Sequence, residues 1–167
     1  MHPDHEARFL RDINKNIGIV HRVCHTYFAN NTLEREDVFQ EIMYQLWRSF
    51  TQFKGDSKFS TWMYRVALNT AIAHVRRSIR TPRTTELTEA ADQAVDMNEG
   101  INEQEDVERL YAAIQTLTEV DKAIIFLHLE DHSYDEIASI TGLTKTNVSV
   151  RLVRIKRALK DQLEKTS

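Results

Sequence analysis

The chain has 167 residues, 41% of them hydrophobic and 28% charged, with four glycines, two prolines and one cysteine. That is enough apolar material for one ordinary domain or two small ones, and too little turn chemistry for a strand-rich fold, so an all-α chain is expected. No run of about eighteen apolar residues is available to span a membrane, the first residues lack the apolar stretch of a signal peptide, and Cys24 has no cysteine to pair with, so a cytoplasmic setting is expected.

Apolar residues at helical spacing predict three helices, over 6–28, 34–53 and 60–79. The breaks fall at Asn30-Asn31-Thr32 and around Gly55-Asp56-Ser57, both rich in turn formers. On the first helix His21, Cys24 and His25 share a face and raise the question of a metal. No fourth ligand is evident, so a core or surface cluster is expected instead, with no metal and no cofactor.

The second helix has a broad apolar side made of Val38, Phe39, Ile42, Met43, Leu46, Phe50 and Phe53. Asp37, Glu41, Tyr44 and Arg48 recur at i, i+4, i+7 and i+11 on the other side, with Gln40 at the edge. Acids four residues apart repel by a few tenths of a kcal/mol in an isolated helix. A cationic partner would relieve that repulsion; a plain solvated face is the alternative.

On the third helix Trp62, Arg65, Asn69, Arg76 and Arg80 fall within an arc of roughly 60°, while Tyr64, Leu68, Ile72, Val75 and Ile79 cover the side turned to the core. A tryptophan exposed among arginines suits single-stranded DNA, with bases stacking on the ring and arginines holding phosphates. The alternative is that Trp62 packs against a neighbouring helix. Just before it, Phe53-Lys54-Gly55-Asp56-Ser57-Lys58-Phe59 is a polar loop with an aromatic at each end, which could receive an unstacked base.

From about Arg80 the composition changes. Pro82, a threonine-rich patch and few apolar residues beyond alanine predict a flexible linker over 81–105. Nine acids and no Lys or Arg lie between Glu86 and Glu108. The formal net charge of −3 is therefore misleading: setting those nine aside leaves 16 acids against 22 basic residues.

The last part is helical again and carries a helix-turn-helix. Ser133 and Glu136 have the spacing of a capping box, and Ile137, Ala138 and Ile140 give the short helix its apolar contacts. Gly142 sits where the chain must turn with positive φ; Leu143 anchors the turn and Thr144 can cap the next helix. That helix buries Val148, Leu152, Ile155 and Leu159 along one stripe. Asn147, Arg151 and Arg154 fall beside the stripe and Arg157 opposite it, with Lys145, Lys156 and Lys160 flanking. A basic second helix after a glycine turn suits a DNA major groove, where arginine pairs with guanine, asparagine with adenine and lysine with phosphate. A merely solvated basic helix is the other reading.

Together these segments resemble the extracytoplasmic-function sigma factors of bacterial RNA polymerase. Residues 37–47, DVFQEIMYQLW, are similar to that family's core-polymerase-binding motif. Residues 53–77, FKGDSKFSTWMYRVALNTAIAHVRR, resemble its segment for melting and reading the minus-ten element, and the helix-turn-helix resembles its minus-thirty-five reader. Met43 stands where the family often has phenylalanine, a volume-tolerant exchange, and Ser149-Val150 replaces a commoner Lys-Ser.

The resemblance implies two helical domains: a three-helix promoter-melting domain over 1–80 and a four-helix helix-turn-helix domain over 106–167, joined by the acidic linker. It implies that Asp37, Gln40, Glu41 and Trp47 dock on the beta-prime clamp helices of core polymerase. Phe53, Lys54, Ser57, Lys58, Phe59, Trp62, Arg65, Asn69, Arg76 and Arg77 would serve minus-ten DNA. Lys145, Thr146, Asn147, Val150, Arg151 and Arg154 would serve minus-thirty-five DNA. An anti-sigma partner is expected on the same ground.

Two rivals remain open in the sequence. An enzyme is disfavoured, since no glycine-rich phosphate loop, nucleophile elbow or HExxH motif occurs. A stand-alone helix-turn-helix regulator would bind duplex DNA by itself, as a dimer on a palindrome; the asymmetric pair of modules and the motif at 37–47 argue against it.

Overall fold

A computed structural model of the chain describes residues 3–80 and 101–166, the side chains of 101 and 102 excepted. Among the described residues the fold consists of seven α-helices and one 3-10 turn, without strands. They divide into two compact units.

The first unit contains α1 (Pro3–Phe28), α2 (Thr32–Ser49) and α3 (Phe59–Arg80), each packed on the other two. Its centre is apolar: Ile13, Val20 and Val23 of α1, Val38, Ile42 and Leu46 of α2 and Met63, Ala67 and Ala71 of α3 are all buried. The α1–α2 corner is held by local polar chemistry. Asn31 caps α2 by accepting from the Glu34 N–H at 3.0 Å, and Arg35 donates back to the carbonyls of Phe28 and Ala29 at the end of α1.

The second predicted helix ends earlier than its periodicity suggests. After Ser49 the chain tightens into a 3-10 turn, Phe50–Gln52. The Ser49 hydroxyl donates to the Gln45 carbonyl at 2.6 Å, competing for the helix's own acceptor. The tighter turn seats Phe50 inside, its ring 5.0 Å from Phe9 and 6.2 Å from Trp62.

On α3 the packing reading of Trp62 holds, and one expectation, for Ile79, is overturned. Trp62 is not exposed among arginines; it is 9% exposed, with its ring 5.2 Å from Phe53 and 5.3 Å from Phe59. The helical wheel placed it correctly on α3 but carried no knowledge of the 3-10 turn and loop that fold Phe50, Phe53 and Phe59 around it. Ile79, assigned to the core side, is 73% exposed. At Ser78, which donates to the Glu34 carboxylate, α3 has reached the first turn of α2, and beyond it no helix of this unit covers the side chain.

The second unit contains α4 (Ile101–Gln115), α5 (Glu119–Leu129), α6 (Tyr134–Thr141) and α7 (Lys145–Thr166), with α7 touching all three others. Residues 81–100 of the expected linker lie outside the described residues, but its last five residues belong to α4. Scarce apolar residues predict a linker there, but the acids in it also suit a helix N-terminus, as Glu103 in the first turn illustrates. The helix α5 is apolar almost all round: Ala123, Ile124, Ile125, Phe126 and Leu127 are all buried. Lys122 is buried with them, its pKa pushed below the usual lysine value by burial, against the pull of Glu119, and its ammonium donates to Gln115.

The expected helix-turn-helix is present in detail. Ser133 accepts from the Glu136 N–H while the Glu136 carboxylate accepts from the Ser133 N–H, a complete capping box. Gly142 ends α6 at φ +75°, and Thr144 caps α7 by accepting from the Asn147 N–H at 3.1 Å. Val148, Leu152, Ile155 and Leu159 form the buried stripe.

Two stability measurements follow from this packing. A Cβ at Gly142 would meet no atom within 4 Å, so only backbone strain opposes a side chain. Gly142→Ala should cost about 1 kcal/mol in urea unfolding, with Gly142→Asn costing less. Trp62→Ala should cost about 3–5 kcal/mol in the free protein, without any DNA present; unchanged stability would contradict the packing role.

Candidate nucleic-acid interface

Three surfaces carry the residues that the sequence singled out. On the outer side of α2, Asp37, Gln40 and Tyr44 are exposed, and Glu41 is half-buried, accepting from the Gln45 amide at 3.0 Å. Trp47 is half-buried as well; its ring meets Phe9 edge-on at 4.9 Å, so it bridges this face and the core. The result is an acidic and aromatic strip on a rigid helix.

The second surface is the loop between the 3-10 turn and α3. Phe53 and Phe59, both half-buried, close it with their rings 5.6 Å apart and nearly perpendicular. Trp62 lies against both rings, so the loop has an aromatic floor built from four residues counting Phe50. Gly55 turns the loop at φ +80°, where no atom crowds it. Lys54 and Lys58 are exposed and Ser57 is half-buried. Further along α3, Asn69, Arg76 and Arg77 are exposed, with Arg65 half-buried. Arg65, Asn69 and Arg76 share one line on the helix, as their spacing of four and seven requires.

The third surface is the first half of α7. Lys145 is exposed and paired with Asp135 of α6 at 3.1 Å. Thr146, Asn147, Val150 and Arg154 are exposed. Arg151 is placed differently from its neighbours. It is half-buried, donating to Asp121 of α5 at 2.7 Å and to the Asn147 side chain at 3.0 Å. A charge-assisted bond of that length ties α7 to α5 and fixes how Asn147 is presented. Sequence reasoning missed Asp121, because nothing local signals a partner thirty residues away.

The possible metal cluster on α1 does not assemble. Cys24 is 1% exposed, turned into the core, and its thiol is pushed up to about 11 by burial, partly offset by Arg35. His21 and His25 are exposed, and His21 stacks on Phe39 at 4.7 Å.

Comparison with known proteins places the chain in one family. Residues 13–81 match the Sigma-70 region 2 model and residues 107–159 match the Sigma-70 region 4 model. The ECF RNA polymerase sigma-E factor of Haemophilus influenzae is 30% identical over 162 residues, covering 90% of this chain and 82% of that protein. The RNA polymerase sigma-H factor of Pseudomonas aeruginosa is 28% identical over the same length, covering 81% of its own. Among solved structures, the sigma factor RpoE in complex with the anti-sigma factor NepR from Bartonella quintana shares the fold with a TM-score of 0.69 at 16% identity, covering 94% of this chain and 97% of that one. CnrH in complex with the cytosolic domain of CnrY aligns with a TM-score of 0.68 at 18% identity, covering 97% and 91%. The chain belongs to the ECF family of RNA polymerase sigma factors.

Proposed function

We propose that this chain joins core RNA polymerase and directs it to promoters, where it recognises two DNA elements, opens the duplex and starts transcription. The observation that carries this reading is the pair of region 2 and region 4 matches in that order, on two separate helical units that each present basic side chains outward. The work is binding rather than bond-making, and it belongs in the cytoplasm, where the polymerase acts.

In this reading Asp37, Gln40 and Glu41 meet basic clamp helices of the polymerase, with Trp47 anchoring the contact. The loop from Phe53 to Phe59 accepts a base flipped out of the minus-ten element. Trp62 supports Phe53 and Phe59 from below, and Arg65, Asn69, Arg76 and Arg77 follow the strand. Opening the duplex costs about 1.4 kcal/mol per base-pair step, and a base stacked on an aromatic surface returns about 1–3 kcal/mol. One or two captured bases thus offset the first steps of melting. Residues 81–100 tether this unit to the second, whose α7 enters the major groove of the minus-thirty-five element through Lys145, Thr146, Asn147, Val150 and Arg154. Arg151 acts there mainly by holding Asn147.

A protein that masks these surfaces would silence the chain. In one related structure the anti-sigma factor NepR is bound to the sigma factor RpoE, in another the cytosolic domain of CnrY is bound to CnrH, and an anti-sigma partner is proposed here by analogy.

Adding the chain to core polymerase should produce initiation at a defined subset of a random promoter library; initiation equal to that of core alone would reject the proposal. A stand-alone regulator would instead bind duplex DNA without polymerase. Arg154→Ala should weaken upstream-element binding roughly tenfold, as loss of one bidentate contact implies, while core-polymerase affinity stays unchanged. Asp37→Arg with Glu41→Arg should do the reverse, lowering core-polymerase affinity by an order of magnitude or more.

A further inference from the structure

The outward face of α7 is not uniformly polar. Its buried stripe, Val148, Leu152, Ile155 and Leu159, fixes the rotation of the helix in the unit. At 100° per residue, the line opposite that stripe runs through Thr146, Val150, Val153 and Arg157. Val150 is 50% exposed and Val153 is 57% exposed. Two β-branched apolar side chains therefore stand at the crest of a helix otherwise lined by Lys145, Asn147, Arg154, Lys156 and Lys160. Exposed valines are poor helix formers and gain nothing from solvent.

Resting on the initiation reading above, we propose that Val150 and Val153, with the methyl of Thr146, read thymine through its C5-methyl group in the upstream element. The major groove displays four chemistries, and the thymine methyl is the one that an apolar side chain matches. The charges around the crest suit this role and no other apolar occupant as well: cations on both flanks fit the phosphate walls of a groove, whereas an apolar protein partner would leave them desolvated. The length also agrees. From 146 to 153 the helix rises about 10 Å at 1.5 Å per residue, which spans roughly three base pairs at 3.4 Å each. The specificity of this helix is thus divided: Asn147 and Arg154 on one flank read hydrogen-bonding edges, and the crest reads methyls.

Replacing thymine by uracil removes the methyl and leaves the hydrogen-bonding edge intact, so it isolates the proposed contact. The complete chain with core polymerase would be bound to a promoter selected from the library, with each upstream-element thymine replaced by uracil in turn. At one or more adjacent positions uracil should weaken binding about three- to fivefold per methyl. The double variant Val150→Ala, Val153→Ala should bind the thymine promoter correspondingly less and be indifferent to the replacement. Both valines are exposed, so the variant should keep its helix content and its affinity for core polymerase. Val150→Ser provides a second test of the same kind. Binding by the wild-type chain that ignores uracil at every position, or an equal loss in wild type and double variant, overturns the inference alone. Absence of any promoter-dependent complex overturns the initiation reading and this inference with it.

Discussion

Burial of one apolar stripe per helix decides which residues this protein can show to a partner. In α7 four branched side chains, Val148, Leu152, Ile155 and Leu159, are seated in the second unit. Each contributes about 1.5–3 kcal/mol relative to exposure, so a rotation that exposed the stripe would forfeit most of the unit's stability. The ion pairs around it, Lys145 with Asp135 and Arg151 with Asp121, are partly exposed and contribute far less. Packing sets the rotation of the helix, and the pairs refine the direction of a few side chains. The same holds in the first unit, where Ile42, Leu46 and Val38 point inward and leave Asp37, Gln40 and Tyr44 outward.

Much of this was legible in the sequence because it is local. A Ser-x-x-Glu capping box, a glycine at positive φ and a threonine cap are decided by residues within four positions of one another, and all three occur at Ser133, Gly142 and Thr144. The apolar stripes were legible for the same reason. The surprises are contacts between distant segments. Trp62 was readable either as a stacking platform or as packing, and the choice depended on where Phe50 and Phe53 arrive after a 3-10 turn that periodicity does not encode. Ile79 depended on where α2 begins relative to the end of α3. The link from Arg151 to Asp121 joins two helices with no shared local motif. The start of α4 was hidden by acids that mean either a solvated tether or a helix N-terminus.

These details shift the division of labour within each surface. The loop from Phe53 to Phe59 rests on a floor shared with Trp62, and in the proposed reading that support lowers the entropy lost when the loop captures a base. In the second unit, Arg151 ties α7 to Asp121 of α5, which in the proposed reading leaves Arg154 and Asn147 as the polar readers with the valine crest between the flanks. On that proposal each unit offers a small, preformed surface that binds weakly by itself. Two such surfaces become selective only when a larger body holds them apart at a set distance, because the second contact is then intramolecular.

That dependence on a fixed separation is the centre of the account. It is tested most directly by measuring initiation with the reconstituted polymerase on promoters whose two elements are unchanged while the spacer between them is lengthened or shortened one base pair at a time. Initiation should peak at one spacing and fall at least tenfold when about five base pairs, half a helical turn, are added or removed. Equal initiation across the whole series would mean that the two units do not read DNA jointly, and the account would be wrong.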